Sequence, residues 1–211
     1  MEIFKIVNNP ISSNCYILYK FNVGKCIIVD PGSENNDKVI SFLRANDLTP
    51  DYIFLTHEHF DHVWGLNELR IIYQNVKVVS SHKCSQGIIC SKKNMSAFYK
   101  NYNFKCTNSD IIFDSNFELE WLGIKFNFIS TEGHSPGSIC IYFGKYLISG
   151  DTIIWNEKTV TKFPNGSLEK LLKSITNISE VISFPINILP GHGIEFKLNS
   201  RLSFLNEYHN N

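Results

Sequence analysis

The chain has 211 residues, 43% of them hydrophobic and 19% charged, enough apolar mass to bury a substantial core without staples. Twenty basic and twenty acidic side chains cancel to a formal net charge of zero. That excludes the broad basic footprint of a dedicated nucleic-acid or anionic-membrane binder.

The first thirty residues read as short strands at Ile3–Val7, Cys15–Tyr19 and Lys25–Val29, each ended by turn residues. There is no continuous apolar segment of the signal-peptide kind here, and no run of about 18 apolar residues anywhere, so no spanning helix is expected. The six cysteines (Cys15, Cys26, Cys84, Cys90, Cys106, Cys140) form no C-x-x-C pair, and reduced thiols in the cytoplasm are the simpler expectation. The third strand stops at the turn Asp30-Pro31-Gly32-Ser33, where Ser33 is expected to cap a helix with Val39, Ile40, Phe42 and Leu43 on its apolar face. A buried strand at Tyr52–Leu55 leads to a polar loop. An amphipathic helix carrying Val63, Leu66, Leu69 and Ile72 follows, then a strand at Val76–Ser80.

Residues 84–108 read as one helix plus a loop. Phe98, Tyr99, Tyr102 and Phe104 are expected in a core or packed lid, with a substrate-pocket lining as the alternative, and Trp64 is expected in the core. Strands then recur at Ile111–Phe113, Phe117–Trp121, Lys125–Ile129, Ser138–Phe143 and Tyr146–Ser149. A helix at Leu168–Val181 and a strand at Ile186–Leu189 come next. A last helix from about Leu198 to Tyr208 would align Leu198, Leu202 and Leu205. No Gly-, Ser- or Pro-rich linker interrupts the chain, so one domain over residues 1–211 is expected, with two sheet-plus-helix halves.

The chemistry is concentrated in His57-Glu58-His59-Phe60-Asp61-His62, an H-x-H-x-D-H pattern directly after a buried strand. Imidazole and carboxylate together suit zinc, iron and manganese, and four donors within six residues can face two adjacent ions if the loop curls. A merely solvated polar loop is the bland alternative. Three further segments each place a His or Asp after a strand or at a glycine turn: Gly133-His134-Ser135-Pro136-Gly137, Ser149-Gly150-Asp151-Thr152 and Pro190-Gly191-His192-Gly193. Five of the seven histidines fall in these motifs; His82 and His209 do not, and are expected at the surface or beside the site and at a frayed terminus.

The ordered series THEHFDH, GHSPGS, SGDT and PGHG resembles the metallo-β-lactamase superfamily, and within it the glyoxalase II-like (hydroxyacylglutathione hydrolase-like) branch. The resemblance runs from Asn14-Cys15-Tyr16 and VDPGS to PGHG, and implies an α+β fold, the four-layer αββα sandwich. It further implies that His57, His59 and His134 hold one divalent ion, that Asp61, His62 and His192 hold a second, and that Asp151 bridges them. Zinc is the first expectation for both ions, with iron or manganese as alternatives. A metal-bridging hydroxide would attack a small ester, thioester or lactone, with Asp61 and Asp151 offsetting charge and orienting the nucleophile. Asp30 would orient a histidine, or serve simply as a turn-former before Pro-Gly.

The pattern departs from the family in places. Glu132 stands where a proline is usual, and the Gly-Arg pair expected after SGDT is missing, leaving Lys158 or Lys162 to meet an anionic tail. Room for one helix follows His192, so the glutathione-gripping C-terminal domain is not expected. β-Lactam cleavage is not expected either, because the lactamases proper lack the bridging Asp151. A mononuclear iron persulfide dioxygenase is the main alternative, ahead of a phosphodiesterase or nuclease and of a non-catalytic binding protein. The expected partner is a small-molecule substrate, with no nucleic acid and no membrane, for a monomer or homodimer.

Overall fold

Runs of β-branched and aromatic residues that are buried on both faces, such as Cys15–Leu18 and Cys26–Val29, belong in the interior of a sheet and not at its edge. A computed structural model describes residues 1–100 and 102–209, with side chains through residue 205. The chain divides into two compact units, Met1–Ile112 and Phe113–Asn211.

In the first unit β1 (Glu2–Val7), β2 (Asn14–Tyr19), β3 (Lys25–Val29), β4 (Thr49–Phe54), β5 (Lys77–Ser81) and β6 (Ile111–Phe113) form one sheet in sequence order. The β1–β2 and β2–β3 pairs are antiparallel, whereas β3–β4 and β4–β5 are parallel. Parallel neighbours need a crossover, and α1 (Asp37–Ala45) supplies the first, burying Val39, Ile40 and Leu43 in a cluster with Ile17, Ile28 and Ile53. Its N-cap is Asn36 and not Ser33. The Ser33 hydroxyl is drawn to Asn8 instead, and the Asn36 amide donates to the Gly65 carbonyl and to Glu68 at 2.9 and 2.7 Å.

The amphipathic helix expected across Val63–Ile72 is split into α2 (Phe60–Val63) and α3 (Leu66–Ile72). The break is at Gly65, where the Asn36 side chain packs so tightly that a Cβ would sit 2.3 Å from its Oδ1. α4 (His82–Ile88), capped by the Ser81 hydroxyl, and a single turn of 3-10 helix at Ser96–Phe98 complete this unit.

In the second unit the sheet order is β12 (Phe196–Leu198), β11 (Ile186–Pro190), β10 (Tyr146–Gly150), β9 (Ile139–Phe143), β8 (Ile124–Ser130), β7 (Phe117–Trp121). Only β10–β11 is parallel among the pairs described; the rest are antiparallel. Edge strand β7 reads FELEW, turning Phe117, Leu119 and Trp121 away from Glu118 and Glu120, the alternation of a half-buried strand. α5 (Leu168–Val181) is capped by Ser167, whose side chain accepts from the Lys170 N–H. It buries Leu171, Ile175 and Ile178 against Ile129, Leu147, Ile186 and Ile188, each contributing about 1.5–3 kcal/mol of transfer free energy.

Two expectations fail here. Strand β12 is too short to leave a periodic signal and is fixed by its antiparallel pairing with β11. The last helix, α6 (Arg201–His209), starts later than expected, and Phe204 is its buried side chain while Leu202 is 69% exposed. Leu198 lies in β12, so the three leucines share no face. Among the described residues no helix is long and apolar enough to cross a membrane.

All six cysteines are free, and all but Cys90 are buried. Burial pushes the Cys26, Cys106 and Cys140 thiols up to about 12 and also raises those of Cys15 and Cys84. Backbone N–H donors from Lys93 and Lys92, with the charges of Lys93 and Lys105, hold Cys90 below the usual thiol range. Native protein at neutral pH is therefore expected to give one fast thiol towards a maleimide, lost in Cys90→Ser, with the others reacting only on unfolding. Above pH 9 the unfolded chain releases thiol protons that the folded chain retains. Stability is thus intact below pH 9 and falls as pH rises towards 12, by about 1.4 kcal/mol per buried thiol per pH unit. Denaturant midpoints across that range check it; a flat profile would show the burial cost to be absent.

Candidate metal centre

The donors follow the carboxyl ends of the parallel strands β4, β10 and β11, except His134, which lies in the turn between the antiparallel strands β8 and β9. In the first unit β3 and β4 pair in register Val29↔Phe54, so the residues just beyond them, Asp30 and Leu55–His57, emerge side by side. Asp30, at φ +51, is fully enclosed, and its carboxylate receives three hydrogen bonds. Its carboxylate accepts from the Thr56 N–H at 2.8 Å, from the Thr56 hydroxyl at 2.6 Å and from His62 Nδ1 at 3.0 Å. It also forms the turn, its carbonyl accepting from the Gly32 N–H at 2.8 Å. Both roles considered for Asp30 are thus served by one residue.

These bonds fix the imidazoles. A carboxylate only accepts, so His62 carries its proton on Nδ1 and presents the Nε2 lone pair. The Thr56 hydroxyl spends its single proton on Asp30, so at 3.1 Å it accepts from His57 Nδ1–H, and His57 also presents Nε2. That buried Nε2 makes no hydrogen bond. The three rings are packed together, with centroids 4.7 Å apart for His57 and His59 and 4.2 Å for His57 and His62; Asp61 Oδ2 lies 3.6 Å from His62 Nε2.

In the second unit the register of β10 and β11, Gly150↔Pro190, brings the next residues, Asp151 and Gly191-His192, together. Gly150 at φ +49 turns the chain sharply, and its carbonyl accepts from the Gly191 N–H at 2.8 Å. His134 Nε2 and His192 Nε2 both lie 3.5 Å from the same oxygen, Asp151 Oδ2. His134 Nδ1 donates to the Val160 carbonyl at 2.8 Å, which again leaves Nε2 as the lone-pair nitrogen. Gly133, at φ +154, is pressed against α5: a Cβ there would meet the Leu171 backbone at 2.5 Å.

Imidazole Nε2 lone pairs held by Nδ1 hydrogen bonds, around carboxylates in a nearly dry setting, are the donor set that zinc, iron and manganese take. The residues present therefore fit such ions. Sequence reading missed the roles of Thr56 and the Val160 carbonyl, which set two tautomers; Thr56 opens THEHFDH but is no donor there, and Val160 belongs to no recognisable motif. Replacing Asp30 with Ala should weaken metal affinity and turnover by about 10–100-fold although it removes none of the candidate ligands. Chelator competition on the purified variant measures this, and an unchanged affinity would deny Asp30 its orienting role.

The remaining candidates lie elsewhere. His82 is exposed at the start of α4, 3.1 Å from the Gln86 amide. Glu132 pairs with Lys170 at 2.9 Å, and its carbonyl accepts from Ser174, tying the His134 loop to α5 in the proline's place. Trp64 is half-buried and not in the core, stacking on Phe104 and meeting Tyr99 and Tyr102 edge-on. Phe98 is 67% exposed, outside that cluster. Lys158 and Lys162 line a cavity of about 460 Å³ whose floor is Leu168, Leu171, Leu172 and Ile175 of α5.

The sequence profile of the metallo-beta-lactamase superfamily matches residues 8–187. The probable metallo-hydrolase YqgX of Bacillus subtilis is 30% identical over 190 residues, 88% of this chain and 87% of that protein. The hydroxyacylglutathione hydrolase of Buchnera aphidicola is 29% identical over 178 residues, 84% of this chain but only 62% of that enzyme. Among solved structures, the BLEG-1 B3 metallo-beta-lactamase superposes with a TM-score of 0.86 at 27% identity, covering 93% of this chain and 94% of that one.

Proposed function

From the premise that this chain belongs to the metallo-β-lactamase superfamily, we propose that it is a binuclear metal-dependent hydrolase of small esters, thioesters or lactones. One observation carries the reading: a single oxygen of Asp151 faces the Nε2 atoms of both His134 and His192, the arrangement of a carboxylate shared between two ions. His57, His59 and His134 would hold one ion and Asp61, His62 and His192 the other, with Asp151 common to both. Zinc is the expected metal, with iron and manganese as alternatives; the hydroxyacylglutathione hydrolase relative supports the thioester class.

When bound, such ions supply Lewis acidity and bring a water to a near-neutral pKa. The chain's own part is to place and balance that chemistry. Asp61 and Asp151 bring negative charge that offsets the cations, and with Asp61 near His62 they are placed to orient the attacking water. Asp30 and Thr56 take the Nδ1 protons of His62 and His57 in hydrogen bonds, so that Nε2 is the nitrogen each ring would offer a metal. The zero net charge favours a small molecule over nucleic acid or membrane as substrate.

Elemental analysis of protein purified without chelator or added metal tests the proposal, together with assays on thioesters, lactones and a chromogenic cephalosporin. Two divalent ions per chain with thioester or lactone turnover is the expected result. A single iron with oxygen uptake on glutathione persulfide would replace the hydrolase with a dioxygenase. Cephalosporin turnover alone would replace the substrate class, and no metal, with none rebinding, would leave a non-catalytic protein.

A further inference from the structure

We propose that Asn8 and Ser13, which lie outside every donor motif, are positioning residues for the ion assigned to Asp61 and His62. The proposal rests on the binuclear reading above. Strands β1 and β2 pair up to Val7↔Asn14, so residues 8–13 form their connection, and the Asn8 N–H closes it on the Ser13 carbonyl at 2.8 Å. Asn8, Ser13 and Ser33 are 4%, 0% and 5% exposed, so every polar atom among them must be satisfied inside the protein.

The bonds run in one direction. The Ser33 hydroxyl donates to Asn8 Oδ1 at 2.9 Å, Asn8 Nδ2 donates to Ser13 Oγ at 2.9 Å, and the Ser13 hydroxyl donates in a short bond to the main-chain carbonyl of Asp61. Asn8 Nδ2 also donates to the main-chain carbonyl of Asp30 at 3.1 Å, and Asp30 in turn accepts from His62 Nδ1. One buried amide therefore restrains the backbone of a ligand, Asp61, and the backbone of the residue that orients a second ligand, His62. The Ser13 bond reaches Asp61 alone, whereas Asp30 also holds Thr56, the partner of His57 Nδ1, so Asn8 is coupled to both ligand sets and Ser13 to one.

Removing the Ser13 hydroxyl takes one hydrogen bond from the Asp61 carbonyl and one of the two from the Asn8 amide in the interior, and the relief available is movement of the Asp61 segment. The ion held through Asp61 and His62 loses its preset geometry; the ion assigned to His57, His59 and His134 does not.

The experiment is chelator competition with zinc on the metal-loaded wild type, Ser13→Ala, Asn8→Ala and Ser33→Ala. Asp61→Ala serves as the reference for which binding step belongs to that ion, and thermal unfolding of each metal-free form is read alongside. The expected result for Ser13→Ala is a loss of about 10–100-fold in the step that Asp61→Ala weakens, with the other step unchanged; Asn8→Ala weakens that step alike and the other, reached through Asp30 and Thr56, by less. Ser33→Ala, which removes only the outermost bond, shifts the same step by less, and it decides the matter alone if the other two do not fold. Both steps unchanged, or both weakened equally, in a folded variant would overturn the proposal and leave the hub with a purely structural role. A wild type that binds fewer than two ions would overturn the binuclear reading first, and this inference with it.

Discussion

Asp151→Ala is expected to lower kcat/KM by 1,000-fold or more, at least about 4 kcal/mol of transition-state stabilisation, and to reduce metal content in the same preparation. The size follows from position. Its carboxylate oxygen lies 3.5 Å from two imidazole nitrogens, so the variant would leave two cations facing each other without the charge between them. His59→Ala should behave alike, since it deletes a proposed ligand from the compact ring cluster with His57. Neither side chain carries the core, so circular dichroism and unfolding of the metal-free protein should stay close to wild type. Full turnover and full metal content in both variants would sink the mechanism.

Gly32→Ala is the substitution expected to cost the most stability. An added Cβ would lie 1.5 Å from the Asp61 carbonyl oxygen and 2.3 Å from its carbonyl carbon. Those are main-chain atoms, and the carbonyl is already held by the Ser13 hydroxyl, so no side-chain rotation relieves the overlap. The chain must separate the turn after β3 from α2 itself, at about 3–5 kcal/mol, the upper range for a single overpacking change. Denaturant unfolding of metal-free protein reads the loss directly. A variant as stable as wild type would mean that the two segments are not in contact in solution. Gly144→Ala makes a control with open space around the new Cβ: its φ of +52 costs local strain alone.

How much of this was legible beforehand differs by element. The six-residue strand Asn14–Tyr19 and the helix Leu168–Val181 declare themselves, one by its apolar run and the other by the i, i+3, i+4 spacing of Leu171, Ser174, Ile175 and Ile178. The donor motifs were legible for the same reason, as short segments with their chemistry contiguous in the chain. Failures occurred where the deciding contact is distant in sequence. Ser33 has the form of a helix cap, yet its hydroxyl is taken by Asn8, 25 residues away, and the helix starts later at Asn36. The helix through Val63 and Leu66 keeps its apolar period but breaks where Asn36 leaves no space at Gly65. Leu202 keeps the spacing of a buried position and yet faces out, because Phe204 fills the core beneath that helix.

The sequence by itself determined the family, the alternation of strands and helices, and the inventory of imidazole and carboxylate donors, since each of these is written in local order and residue type. Only the tertiary structure decided which nitrogen His57, His62 and His134 present, that Asp30 serves both a turn and a histidine, and that Asn8 and Ser13 reach the Asp61 backbone. Those outcomes depend on hydrogen bonds spanning 22 to 48 residues, made where parallel strands end side by side, and no local pattern encodes which buried groups will meet there.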